Sequence, residues 1–152
     1  MKIAVACDHG AYQHKEALKK HLEGLHYEVI DFGTNSTDSM DYPDTVYPAS
    51  KAVANHEVDY GIVLCSTGIG ASITANKVKG IRCSLVHNRD IAKITREHND
   101  SNVLAMGAKV VSEEEMIEIA VTWLETPFSF DLRHMRRITK IAEVEKEEDY
   151  EG

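Results

Sequence analysis

Apolar positions along the chain follow two alternating rhythms. Short, nearly continuous runs rich in β-branched residues occur at Lys2–Cys7, Glu28–Phe32, Tyr60–Cys65, Arg82–Val86 and Val103–Met106. Their length and unbroken character predict strands buried on both faces. Between them, apolar residues recur every three to four positions, as Ala17, Leu18, Leu22 and Leu25 do within Ala11–Leu25. The same spacing predicts helices over Thr45–Asn55, Ile69–Lys77, Arg89–His98 and from Ser112 to about Trp123. Pro43 is placed to initiate the Thr45–Asn55 helix, and Ser112 with Glu115 forms the pattern of a capping box. A last helix runs from Leu132 to about Glu148 and ends in an acidic tail from about Glu143. Five strands separated by helices predict an α/β fold with a parallel sheet covered on both faces. In such sheets ligands gather beyond the carboxyl ends of the strands. Those ends are Cys7-Asp8-His9-Gly10, Gly33, Cys65–Gly70, His87-Asn88 and Gly107. With no internal repeat and no linker-like stretch, residues 1–152 read as one domain.

Charge and composition narrow the partners. A net charge of −8 argues against nucleic acid or an anionic membrane as a general partner, but leaves room for a small anion in a local cationic pocket. No segment has the length and apolarity of a membrane span, and Met1–Val5 leads straight into a strand rather than a signal peptide. Cys7, Cys65 and Cys83 lack metal-ligand spacing, and an odd set of thiols suits a reducing cytoplasm.

The segment most suggestive of chemistry is Cys65-Ser66-Thr67-Gly68-Ile69-Gly70-Ala71-Ser72, a strand end, a glycine-relaxed turn and a helix start. Such a turn points backbone N–H groups into one space and favours negative charge there. Cys65 is therefore a candidate nucleophile or base, and equally a structural cysteine closing a core strand. Three related motifs fail. Gly70 is not followed by the Lys-Ser/Thr of a Walker loop, and Ile73 stands where a dinucleotide fingerprint needs its third glycine. Ala71 occupies the position at which a cysteine phosphatase would hold phosphate with arginine.

Elsewhere, Arg133, Arg136 and Arg137 crowd one end of the last helix, Arg133 and Arg137 sharing a face. No acid lies three or four residues from any of them, so they suit a phosphate or acids supplied from elsewhere. Asp8-His9 follows the first strand, as a site pair or as a capping acid beside a surface histidine. His98 ends a helix, where an imidazolium complements the dipole and where a catalytic histidine is equally open. Tyr42, in the longest loop, reads as a lid residue or a packing anchor. Cys7 and Cys83 are expected to pack in the core.

Taken in order, Asp8-His9-Gly10, Asp41-Tyr42-Pro43-Asp44, Cys65–Ser72, Ala75-Asn76-Lys77, Gly80-Ile81-Arg82, Glu97-His98-Asn99-Asp100 and Arg133-His134 resemble ribose-5-phosphate isomerase type B, from residue 1 to about 142. The resemblance implies a Rossmann-like three-layer α/β/α sandwich with a five-stranded parallel sheet. It also implies a homodimer or tetramer with active sites at a subunit interface, acting on a phosphorylated pentose with no metal or cofactor. By the same resemblance Cys65 is the base, and Thr67 and His98 serve ring opening. Amides of about Gly68, Ile69, Gly70, Ala71 and Ser72, in a loop that includes Ser66, hold an enediolate oxygen. Asp8, Tyr42 and Asn99 contact the sugar, while His9, Arg133 and Arg137 grip the phosphate; Lys109 stands where many relatives carry a further phosphate-contacting arginine.

The chain also departs from the pattern. One branch of the family uses a glutamate at the position of Ala71 as base, so this chain falls in the cysteine branch. Ser66 stands where glycine is commoner, and Asp131-Leu132 where two glycines usually precede the arginine–histidine pair. Six-carbon sugar phosphates, a non-catalytic phosphosugar-binding module and a cysteine phosphatase are the competing expectations; Cys65, Thr67 and His98 together favour the pentose isomerase.

Overall fold

A computed structural model describes residues 1–149 of the chain. Its five strands, β1 (Lys2–Cys7), β2 (Glu28–Asp31), β3 (Tyr60–Cys65), β4 (Cys83–Leu85) and β5 (Val103–Gly107), form one sheet in the order β2-β1-β3-β5-β4. Every pairing is parallel, with Val5 opposite Ile62 and Cys65 opposite Gly107. The helices are α1 (Tyr12–Gly24), α2 (Pro43–Ala54), α3 (Ile69–Asn76), α4 (Arg89–Asn99), α5 (Glu113–Glu125) and α6 (Leu132–Glu148). A 3-10 turn, His9–Ala11, precedes α1. The architecture is the α/β sandwich that the alternating pattern predicts, with boundaries within a few residues.

Alternate side chains of each strand feed two cores, as the two-residue strand period requires. Ile3, Val5, Ile62, Leu64, Leu104 and Met106 meet Leu18 and Leu22 of α1, Ala92 of α4, and Met116 and Trp123 of α5. On the other face Ala4, Ala6, Val63 and Ala105 meet Val46 and Ala49 of α2 and Ala71 and Ala75 of α3. The chain winds outward in both directions from β1 and β3, so their carboxyl ends open a crevice at the topological switch point.

Local chemistry explains the element ends. Pro43 occupies the first turn of α2, and the Ser112–Glu115 capping box of α5 is complete, with bonds of 3.1 and 2.8 Å. Asp131 caps α6, its carboxylate accepting from Arg133 N at 3.0 Å, a helix-starting role. Asn76 pairs its amide with the backbone of Cys83, at 2.8 and 3.0 Å, and so covers part of edge strand β4. Because β4 is an edge, Cys83 is only partly buried, packed against the margin of the second core, whereas Cys7 is fully enclosed. Enclosure pushes the Cys7 thiol up to about 11. The end of α6 is docked, not free: Glu145 accepts from Gly80 N at 3.0 Å and Asp149 pairs with Lys79. The remainder of the acidic tail lies outside the described residues.

Candidate active site

The crevice between β1 and β3 is built by close backbone approach. A Cβ on Gly10 would lie 2.5 Å from Ser66 Oγ, and one on Gly107 would lie 2.5 Å from the Thr67 carbonyl oxygen. Glycine at both positions lets the Cys65 loop settle against its neighbours. Gly68 starts α3 at φ 80°, a conformation that an L side chain resists, and its N–H turns back to donate to Cys65 Sγ at 3.2 Å. Cys65 itself is buried, with its sulfur at the inner rim of the turn.

Backbone bonding decides which amides are available. Gly68 N–H is committed to the thiol, Ile69 N–H to Thr67 Oγ1 at 3.3 Å, and Ser72 N–H to the Gly68 carbonyl at 3.0 Å. Among the described residues, the N–H groups of Gly70 and Ala71 have no acceptor. The broad stretch of donors expected from Gly68 to Ser72 thus narrows to these two, at the positive end of α3.

The surrounding side chains converge on the same place. Asp8 is buried, accepts from Gly10 N at 3.0 Å, and has its own N–H on the Leu64 carbonyl at 3.2 Å. His9 accepts at Nδ1 from Met40 N at 3.2 Å, which leaves its Nε2 as the protonated nitrogen of the neutral ring. Tyr42 lies over the start of α3; a Cβ on Gly70 would fall 2.7 Å from its Oη. Lys109 follows β5, is exposed, and is tied by its backbone N–H to Ser66 O at 2.8 Å.

The remaining predicted residues lie at the other end of the sheet. Helix α4 runs back from the carboxyl end of β4, so His98 and Asn99 arrive beside the strand starts. Arg82, just before β4, donates from Nε to the Asn99 carbonyl at 2.9 Å, and Ser129 N donates to the Glu97 carbonyl at 3.3 Å. Helix α6 therefore begins beside His98, and Arg133 is exposed there with Asp131 3.6 Å from its Nε. Arg137 is one turn further on and exposed. A strand of five residues, β5, separates the two groups, on the order of 15 Å at about 3.3 Å per residue. Within one chain, Cys65 and His98 cannot share a small ligand.

Two features escaped the sequence reading. His134 stacks on His98, with ring centroids 4.2 Å apart; its adjacency to Arg133 was the available signal. Lys15 is wholly buried and donates to both Asp31 oxygens at 2.8 Å and to Asn35 Oδ1 at 3.1 Å, anchoring the loop that carries Tyr42. Its spacing from Leu18 and Leu22 puts Lys15 on the buried face of α1, but that period does not show that Asp31 is its partner.

A five-stranded, all-parallel α/β sandwich with a Cys-Ser-Thr-Gly turn at its switch point defines a class of sugar-phosphate isomerases. The chain belongs to the ribose/galactose isomerase family, whose profile matches residues 3–141. It is 41% identical to the ribose-5-phosphate isomerase B of Escherichia coli, over 95% of this chain and 97% of that protein. Its structure is similar to that of the ribose-5-phosphate isomerase B of Clostridium thermocellum, with a TM-score of 0.94 and 46% identity over 97% and 99% of the two chains. The Mycoplasma genitalium ribose-5-phosphate isomerase B, solved with bound ribulose-5-phosphate, superposes with a TM-score of 0.92 and 37% identity over 96% and 97%.

Proposed function

We propose that this protein is an aldose–ketose isomerase interconverting ribose 5-phosphate and ribulose 5-phosphate through an enediolate, at sites completed by a second copy of the chain. The observation that carries this reading is the buried Cys65 thiol beside the two unpaired N–H groups of Gly70 and Ala71, in a chain of this family. A base next to a pair of preorganised donors suits removal of a proton from carbon beside a carbonyl, and one such donor is worth about 3 kcal/mol in comparable sites.

In this reading the furanose opens first: the O1 hydroxyl loses a proton and the ring oxygen gains one as the C1–ring-oxygen bond breaks. His98, with Thr67, performs that transfer. Cys65 as thiolate then takes the C2 proton, the enediolate oxygen rests on the Gly70 and Ala71 amides, the O2 proton passes to O1, and the thiol returns its proton to C1. Asp8, Tyr42 and Asn99 orient the sugar hydroxyls. His9, through its Nε2–H, joins Arg133, Arg137 and Lys109 on the phosphate. Because Cys65 and His98 stand at opposite ends of one chain, the site pairs the Cys65 end of one subunit with the His98 end of another. The exposed apolar side chains of Ile69, Ile73, Ile141 and Val144 supply surface for such an association.

The test is NMR with ribose 5-phosphate in D2O. Wild-type protein is expected to form ribulose 5-phosphate with solvent deuterium incorporated. Cys65→Ala is expected to lose turnover by at least about a thousandfold while still binding the phosphosugar. Wild-type turnover in that variant would remove Cys65 as the base, and an inert wild-type protein would remove the activity.

A further inference from the structure

The Arg133-His134 pair opens α6, and only its arginine has a role in the scheme above. His134 is the one buried residue of that helix among those described. Its ring lies on the His98 ring, centroids 4.2 Å apart and planes inclined by 28°. Both of its nitrogens are engaged. Arg133 Nε lies 3.4 Å from His134 Nε2, and a guanidinium can only donate, so Nε2 is the acceptor. The ring proton is then on Nδ1, which donates to Ser129 Oγ at 2.9 Å. Ser129 Oγ accepts a second bond, from Asp131 N at 3.1 Å, so the anchor is itself held. A second proton on His134 would have to enter at Nε2, against the guanidinium. Burial, then the neighbouring His98 and Arg133 charges, hold His134 below the usual histidine range.

We infer that His134 is a positioning residue for His98: a ring fixed in its neutral form whose face seats the His98 imidazole and stabilises it while it carries an extra proton. The inference rests on the reading that His98 opens the furanose. In that step His98 takes the O1 proton, becomes an imidazolium, and returns a proton to the ring oxygen as the C1–oxygen bond breaks. A neutral aromatic face attracts a cation, whereas a second imidazolium would repel it. His98 is otherwise exposed at a helix end, so the stack also restricts its rotamers.

The ring step can be separated from the proton transfer at carbon. Ribulose 5-phosphate has its C5 oxygen esterified and cannot close a furanose, so exchange of its C1 hydrogen with D2O reports enediolate formation alone. Conversion of ribose 5-phosphate requires ring opening as well. His134→Ala is expected to slow ribose 5-phosphate turnover about tenfold or more, as loss of a held geometry does, while C1 exchange stays within about twofold of wild type. His134→Phe keeps a neutral face and is expected to recover most of the turnover. Ser129→Ala, which keeps the ring and loses its anchor, is expected to slow the ring step by less than His134→Ala. Equal losses in both assays, unchanged turnover in His134→Ala, or no recovery with phenylalanine would each overturn the inference. Wild-type protein inert in both assays would instead overturn the functional reading on which it stands.

Discussion

At the scale of single residues, the site depends on atoms that are missing. Gly70 leaves the space that the Tyr42 ring occupies, with Oη 2.7 Å from where a Cβ would sit. An alanine there should favour α3 by about 0.5–1 kcal/mol, since glycine is a poor helix former, yet displace the tyrosine. Gly70→Ala is therefore expected to hold or raise the thermal midpoint while raising KM for the phosphosugar about tenfold, with kcat changed less. Steady-state kinetics beside a melting curve check this; an unchanged KM would mean that Tyr42 does not contact the sugar. Cys65, the turn after it and the strand-end residues Asp8 and His9 were legible because strand ends and glycine turns mark sites in this fold class. The commitment of individual amides was not legible, since it depends on where Sγ and Oγ1 atoms point. Nor was the neutral form of His134, set by Ser129 and Arg133 only once α6 has started.

At the scale of elements, one buried ion pair ties α1 to β2 and to the loop bearing Tyr42. Burial alone would lower the Lys15 pKa and raise that of Asp31, but their mutual hydrogen bonds, with the Gly33 N–H on Asp31, outweigh it and reverse both shifts. Asp31, held below the usual carboxylate range, contributes stability above pH ~4 that is lost as pH falls through its folded value. Lys15, held above the usual lysine range, contributes stability below pH ~10 that is lost as pH rises through its folded value. Across the interval between them this pair adds no slope. Lys15→Met leaves Asp31 short of its main partner and is expected to cost about 3 kcal/mol near neutral pH, and Asp31→Asn is expected to flatten the acid limb of the stability profile. Urea unfolding from pH 3 to 10 checks both; a steep acid limb surviving in Asp31→Asn would assign it to other carboxylates. The elements themselves were readable because their apolar periods are clean and their caps, Pro43 and Ser112–Glu115, are local. The Lys15–Asp31 link joins residues sixteen apart on a helix and a strand, and no period records it.

For the whole molecule, the arrangement of the two residue groups sets the test. If each site takes Cys65 from one subunit and His98 from another, a Cys65→Ala chain and a His98→Ala chain fail in opposite halves. A mixed dimer then holds one site with both defects and one site with neither. Random reassembly of equal amounts is expected to restore about a quarter of wild-type turnover from two nearly inactive preparations, as two-fold symmetry with exchange requires. No recovery after verified exchange would place both residues' work within one subunit. The division follows from where the two residues sit: Cys65 ends strand β3 and His98 lies at the end of helix α4, and the antiparallel return of α4 puts them at opposite ends of the sheet.

That division ties catalysis to mass action. With the sheet lying between the two half-sites, a site assembled in the proposed way needs two copies, and a lone copy is expected to be inert however well it folds. Turnover per chain should then rise in proportion to dilute protein concentration, and total turnover with its square, before levelling off, so abundance would set how many working sites each chain yields.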